Sequence, residues 1–139
     1  MKAFHEKIQY LELPCSKMDA SKSFFKKVFS WSFTSYGEEY LAFKSADAGI
    51  EGGFFKSDQQ AQTKNGSALV VFYSRDLEST QKKIIDHGGN IVKDTFYFPG
   101  GRRFHFYDPS ENEFAVWSDL EPTLKSHCLL YTSPSPRDS

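Results

Sequence analysis

The stretch Arg102-Arg103-Phe104-His105-Phe106-Tyr107-Asp108-Pro109-Ser110-Glu111-Asn112-Glu113-Phe114-Ala115-Val116-Trp117 decides the fold. Both of its ends alternate with period two, and successive side chains on a strand point to opposite faces. Phe104 and Phe106 therefore share one face, and Arg103, His105 and Tyr107 share the other. Beyond the turn, Phe114 and Val116 share a face, as do Glu113, Ala115 and Trp117. Asp108 to Asn112 is built of turn-forming residues, so the stretch reads as an antiparallel hairpin. The all-apolar face should pack on helices. The mixed face, polar and aromatic together, has the composition of a small-molecule pocket on a concave surface.

Upstream of the hairpin, Asn90 to Lys93 and Phe96 to Phe98 read as two strands, with a turn at Pro99-Gly100-Gly101. Asp76 can cap a helix from Leu77 to about His87, stopped by Gly88-Gly89. Ala68 to Tyr73 is a β-rich run, and Ser57 to Gly66 is polar and aperiodic, as in a linker loop. The same order then recurs towards the N-terminus. Ile8 to Leu13 alternates and ends at Pro14. Ser16 is the candidate cap of a helix reaching about Phe29, with Phe24, Phe25, Val28 and Phe29 as its core stripe. Trp31 to Thr34 and Glu39 to Lys44 read as strands around Tyr36-Gly37. Gly49 to Lys56 reads as a third, with Gly52 and Gly53 marking a bulge or a close backbone approach. The chain therefore reads βαβββ twice, with a period of roughly 60 residues. Neither module can bury a sheet face alone, so the two should pair around a shared cavity.

The 139 residues suffice for one domain with its own core, and aromatics are abundant: 14 Phe, 7 Tyr and 2 Trp. A formal charge of −1 argues against nucleic acid or an anionic membrane as partner. No apolar run is long enough to span a bilayer. The start, Met-Lys-Ala-Phe-His-Glu, does not read as a signal peptide. Two cysteines make no disulfide framework, so a cytoplasmic setting is expected. Cys128 to Asp138 matches, in translation, a transposase sequencing adapter, so 128–139 is read as non-native, within a tail 120–139. The expected domain is 1–119, with modules at about 4–56 and 67–119.

Three stretches resemble the vicinal oxygen chelate superfamily, which holds glyoxalase I, bleomycin-resistance proteins and extradiol dioxygenases. Asp19 to Trp31 is similar to its first-helix signature, a Phe-Tyr pair before a Gly-Trp turn, with Phe25 for the Tyr and Ser30 for the Gly. Asp108-Pro109-Ser110-Glu111-Asn112 resembles its Asp-Pro-x-Gly-Asn hairpin, with Glu111 in the Gly place. Asp76-Leu77 with Gly88-Gly89 resembles the second helix and its stop. The resemblance spans about Ile8 to Ser118. It implies an α+β fold in which two βαβββ modules pair into a half-barrel with a concave ligand cavity.

The resemblance also bears on metal. Members that use a divalent ion hold it with His or Glu on the concave strands. Those positions fall here on Tyr10, Leu69 and Ala115, with a fourth near Glu51. One carboxylate makes no tight divalent site, so no metal ligands and no cofactor are expected. The predicted concave face keeps Tyr10, Glu12, Glu51, Tyr73, Arg103, His105, Tyr107, Glu113 and Trp117. His105 lies where extradiol dioxygenases of the family carry an active-site Tyr. Glu12 and His105 are the candidate catalytic pair, unless Glu12 and Arg103 merely form an ion pair. Tyr10, Glu51, Tyr73, Arg103, Tyr107, Glu113 and Trp117 are candidate ligand contacts. Cys15 reads as a buried, inert thiol. The leading expectation is a metal-free cavity binding a small, partly aromatic or amphipathic molecule. The alternatives are a metal-dependent lyase or dioxygenase, a metal-free acid–base enzyme, and an interaction subunit with a vestigial cavity. A homodimer is expected, because the edge strands need covering.

Overall fold

The computed structural model describes residues 3–122. The 128–139 segment read as non-native lies outside the described residues. The order is β1 (Tyr10–Cys15), α1 (Met18–Phe29), β2 (Phe33–Ser35), β3 (Tyr40–Phe43), α2 (Ser45–Ala48) and β4 (Glu51–Lys56). A short 3-10 turn, Thr63–Asn65, precedes β5 (Val70–Tyr73), α3 (Leu77–Asp86), β6 (Asn90–Phe98), β7 (Gly101–Tyr107) and β8 (Glu113–Ser118). The strands form two four-stranded mixed sheets, β1-β4-β3-β2 and β5-β8-β7-β6. In each, the first strand runs parallel to the last and the other pairs are antiparallel. This is the βαβββ module twice over, in an open arrangement rather than a closed barrel.

Alternation sorted the faces as expected. Phe104, Phe106, Phe114 and Val116 are all buried, in one apolar cluster with Phe24, Phe25 and Val28 of α1 and Leu77 and Ile84 of α3. Helix α1 joins the modules: Phe25 stacks on Trp31 at 4.8 Å and meets Phe54 of β4 at 5.3 Å and Phe114 of β8 at 5.5 Å. Phe29 stacks on Phe72 of β5 at 4.3 Å. The two sheets thus meet through their helix-side faces on a shared aromatic core. Buried rings of this size dominate core energetics.

Four local expectations need correction. Ser16 does not cap α1. The N-cap is Lys17, without a side-chain cap, and its own N–H donates to the Ser110 hydroxyl at 3.0 Å. Asn90 to Phe98 is one strand rather than two, with irregularities in its pairing between Ile91 and Phe96. A bulge adds an unpaired residue without ending the ladder. The linker is not featureless: Ala61 and Gln62 are buried, and the Ala61 carbonyl accepts the Glu113 N–H at 2.8 Å. Helix α2 was not foreseen. Its first N–H donates to the Glu51 carboxylate at 2.8 Å. At Gly52 and Gly53 the close approach holds, with β4 in unbroken register. A Cβ on Gly52 would lie 2.2 Å from the Leu11 carbonyl oxygen, and one on Gly53 would lie 2.3 Å from the Tyr40 ring.

Candidate functional site

The sheet faces turned away from the helices carry the candidate residues. On β1, Tyr10 and Glu12 pair with Glu51 and Gly53 of β4, and Gly53 pairs with Ala42 of β3. Gly53 has no side chain, so the Tyr40 ring can occupy the space a Cβ there would need. That places the Tyr40 hydroxyl 2.9 Å from Glu12 Oε2, to which it donates, and 2.8 Å from the Tyr10 hydroxyl. Tyr40 has one proton and gives it to Glu12, so Tyr10 donates to Tyr40. Burial, and then the hydrogen bonds to Tyr10 and Glu12, push the Tyr40 hydroxyl well above its ordinary range. Glu51 caps α2, and the Ser45 N–H holds its carboxyl below the usual range. Sequence reading missed Tyr40. Its parity on β3 was the available signal.

The second module's face is more enclosed. In the β7–β8 register, Arg103 faces Trp117, His105 faces Ala115, and Tyr107 faces Glu113. His105 therefore lies diagonal to Glu113, and its Nδ1 sits 2.8 Å from Glu113 Oε2. The other oxygen, Oε1, accepts from the N–H and the hydroxyl of Thr63, both at 2.8 Å. Burial works to raise the Glu113 carboxyl, but His105 and Thr63 together hold it below the usual range. His105 is 4 % exposed, and its Nε2 is buried without a partner. Phe96 packs 5.9 Å from its ring.

The expected Glu12–His105 pair is therefore not formed. Glu12 is engaged by Tyr40 and His105 by Glu113, on separate sheets. Nor does Glu12 pair with Arg103, whose guanidinium lies over Phe96 and Phe98 at 5.3 and 5.6 Å. Trp117 meets Tyr73 at 5.2 Å and Phe98 at 6.3 Å, which makes an aromatic wall. The Tyr73 hydroxyl donates to Asp119 at 2.6 Å. Tyr107 is half-buried beside Glu113. Counting outward from the Asp108–Asn112 turn would have found the His105–Glu113 diagonal. Thr63 and Phe96 left no comparable signal.

A metal does not fit these residues. Leu69 and Ala115 offer no donor atom, and the Tyr10 hydroxyl is tied to Tyr40. Among the described residues, no three His, Cys, Asp or Glu side chains come together. Ala115 is itself fully buried, so its neighbours close over the position rather than leaving space. Cys15 is buried, with its sulfur 3.3 Å from the Ser110 hydroxyl, and burial pushes the thiol up. Such a thiol is a poor nucleophile. No helix among the described residues is long and apolar enough to cross a membrane.

Comparison with known proteins agrees with this fold. The family described as the Glyoxalase/Bleomycin resistance protein/Dioxygenase superfamily matches residues 7–116. Fosfomycin resistance protein FosX from Listeria monocytogenes superposes with a TM-score of 0.67 at 15% identity, covering 83% of this chain and 94% of its own. A glyoxalase/bleomycin resistance protein/dioxygenase family enzyme from Burkholderia phytofirmans gives 0.65 at 13% identity, covering 81% and 98%. Lactoylglutathione lyase from Agrobacterium tumefaciens gives 0.61 at 16% identity, covering 81% and 93%. At such identities the likeness is one of fold. No curated protein matches the sequence.

Proposed function

Because the chain belongs to the glyoxalase/bleomycin resistance protein/dioxygenase superfamily, we propose that it binds a small aromatic or amphipathic molecule without a resident metal ion. The observation that carries this reading is the exchange on the outward face of the second sheet. The position that resembles the family's last metal ligand is Ala115, and beside it stands the wall of Tyr73, Trp117 and Phe98. Aromatic rings give a planar ligand a large contact at little conformational cost. Tyr10, Val71 and Tyr73 are 41%, 43% and 49% exposed. Edge strands β1 and β5 also lack a partner on one side. A homodimer would cover both features.

Two measurements test this reading. Elemental analysis of dialysed protein should find far less than one zinc, iron, manganese or nickel per chain. About one per chain would instead favour a metal-dependent reaction, as in the FosX variant solved with Mn(II) and a dihydroxypropylphosphonic acid. Fluorescence titration of Trp31→Phe and Trp117→Phe variants against planar compounds should place the response in Trp117. A cleft of about 640 Å³ also opens between the modules, lined by Trp31, Phe43, Leu11 and β5. A response confined to Trp31 would move the ligand there and refute the concave-face reading. Light scattering should give twice the chain mass.

A second reading has its own observation. His105 held by Glu113 at 2.8 Å, with Nε2 unspent, is a pair able to move a proton. In that case the acid–base partner of His105 is Glu113, and Glu12 is not needed. An activity abolished in Glu113→Gln but retained in Glu12→Gln would favour it.

A further inference from the structure

We infer that the outward face of the second sheet holds an anion subsite, formed by Arg103 and Lys93, that takes the carboxylate of an aromatic acid. This deepens the binding reading above and depends on it.

The contrast between two adjacent arginines is the starting point. Arg102 is fully engaged: both terminal nitrogens bond the Glu78 carboxylate and Nε donates to the Leu120 carbonyl at 3.0 Å. Arg103 points to the opposite face. Among the described residues no carboxylate or carbonyl accepts from it, and its Nε is buried without a partner. Its guanidinium is steadied only by the rings of Phe96 and Phe98. Two residues along the same face, about 7 Å away by strand rise, His105 leaves Nε2 equally unpartnered, with its side chain 5% exposed. Lys93 stands opposite His105 in the β6–β7 register, and its ammonium lies 5.3 Å from the Phe96 ring.

The carboxylates nearby are already committed. Glu113 is taken by His105 and Thr63, and Asp119 accepts from Tyr73. Among the described residues, Arg103 and Lys93 thus stand on this face without a carboxylate partner. A buried polar atom left unmatched is costly, and a bound carboxylate would give the Arg103 guanidinium an acceptor. Guanidinium and carboxylate match in shape as well as charge. Trp117, Phe98 and Tyr73 beside the charges call for an aromatic body on the acid.

The test uses the full chain and two probes of one shape, 2-naphthoate and 2-naphthamide, in isothermal titration calorimetry at low salt. Naphthoate should bind about ten- to a hundredfold tighter than naphthamide, as expected for charge-assisted hydrogen bonds. Arg103→Gln should bring the naphthoate-to-naphthamide affinity ratio close to one, and Arg103→Lys should retain part of the preference. Lys93 is exposed, so Lys93→Gln should fold in any case and reduce the preference. Surface Lys26→Gln on α1 should have no effect. Equal affinity for the two probes would overturn the anion subsite and leave the binding reading standing. A preference intact in both Arg103→Gln and Lys93→Gln would overturn the assignment of residues. No heat from either probe at millimolar concentration would overturn the subsite and the binding reading together.

Discussion

Replacing Glu111 with glycine should stabilise the domain. Glu111 sits in the tight turn between β7 and β8 with φ of 66°, in the left-handed region, where the related hairpin motif carries glycine. For an L residue with a Cβ, that conformation costs about 1–2 kcal/mol. Glycine escapes the cost but gives up about 0.5–1 kcal/mol of unfolded-chain entropy. The turn's own bonds use backbone atoms and survive the change. Glu111 N–H donates to the Asp108 carbonyl at 2.8 Å, and the Glu111 carbonyl accepts from Gln62 at 2.8 Å. The only side-chain loss is an exposed bond from Gln60 at 3.2 Å. The net gain should be about 0.5–1 kcal/mol. With a urea slope of about 1–3 kcal/mol/M, the midpoint should rise by roughly 0.5 M, at unchanged slope. Removing the carboxylate also removes a charge close to Asp108, so Glu111→Gln and Glu111→Ala serve as controls. Both keep the strained backbone and lose the charge. If either stabilises as much as Glu111→Gly, electrostatics explains the effect and the backbone argument is wrong.

Ser30 closes α1 with φ of 61° at the other glycine-like position of the resemblance. Ser30→Gly should likewise gain about 0.5–1 kcal/mol in urea unfolding, and a loss would show that the hydroxyl has an unseen role. Asp108 is fully buried, and burial pushes its carboxyl up to about 7 against hydrogen bonds from the Asn112 and Ser110 N–H groups. A carboxyl raised above its unfolded value contributes stability that is complete below about pH 3.9 and is lost as pH rises through about 7. The loss between pH 5 and pH 8 should be about 2–3 kcal/mol. Asp108→Asn keeps an acceptor for both N–H groups and should remove it, so equal pH slopes for the two proteins would refute the assignment. Gly53→Ala would force Tyr40 off the β4 backbone and break its bond to Glu12. Overpacking of this kind costs about 1–3 kcal/mol, and circular dichroism melts at the wild-type temperature would mean that Tyr40 swings away freely.

How much of this was legible depends on the distance over which each feature is decided. Strand parity is local, and it placed Phe104, Phe106, Phe114 and Val116 in the core. The helix stripe and the Asp76 cap are local too, and Asp76 does accept the Ser79 N–H at 3.2 Å. The start of α1 is not. There the Lys17 N–H is satisfied by Ser110, 93 positions away in sequence, so no nearby cap was needed. The continuity of β6 was hidden because its bulge breaks the alternation around Lys93 to Phe96. The Glu12–His105 pairing failed for a more general reason. Parity assigns a side chain to a face, but it carries no distance between strands of different sheets. Within one hairpin the register does carry distance, and so the partner of His105 was readable as Glu113.

The same reasoning explains why the metal positions cannot be treated as isolated vacancies. Tyr10 is the donor end of a chain through Tyr40 to Glu12, and Gly53 leaves the space that the Tyr40 ring occupies. Ala115 is fully covered and faces His105, whose Nδ1 is committed to Glu113. A carboxylate placed at 115 would enter a buried site two residues along the strand from the Glu113 carboxylate, which His105 and Thr63 already hold, and such burial is costly. The metal-free proposal therefore draws on the hydrogen bonds of Tyr10 and of His105 as well as on the apolar side chains at Leu69 and Ala115.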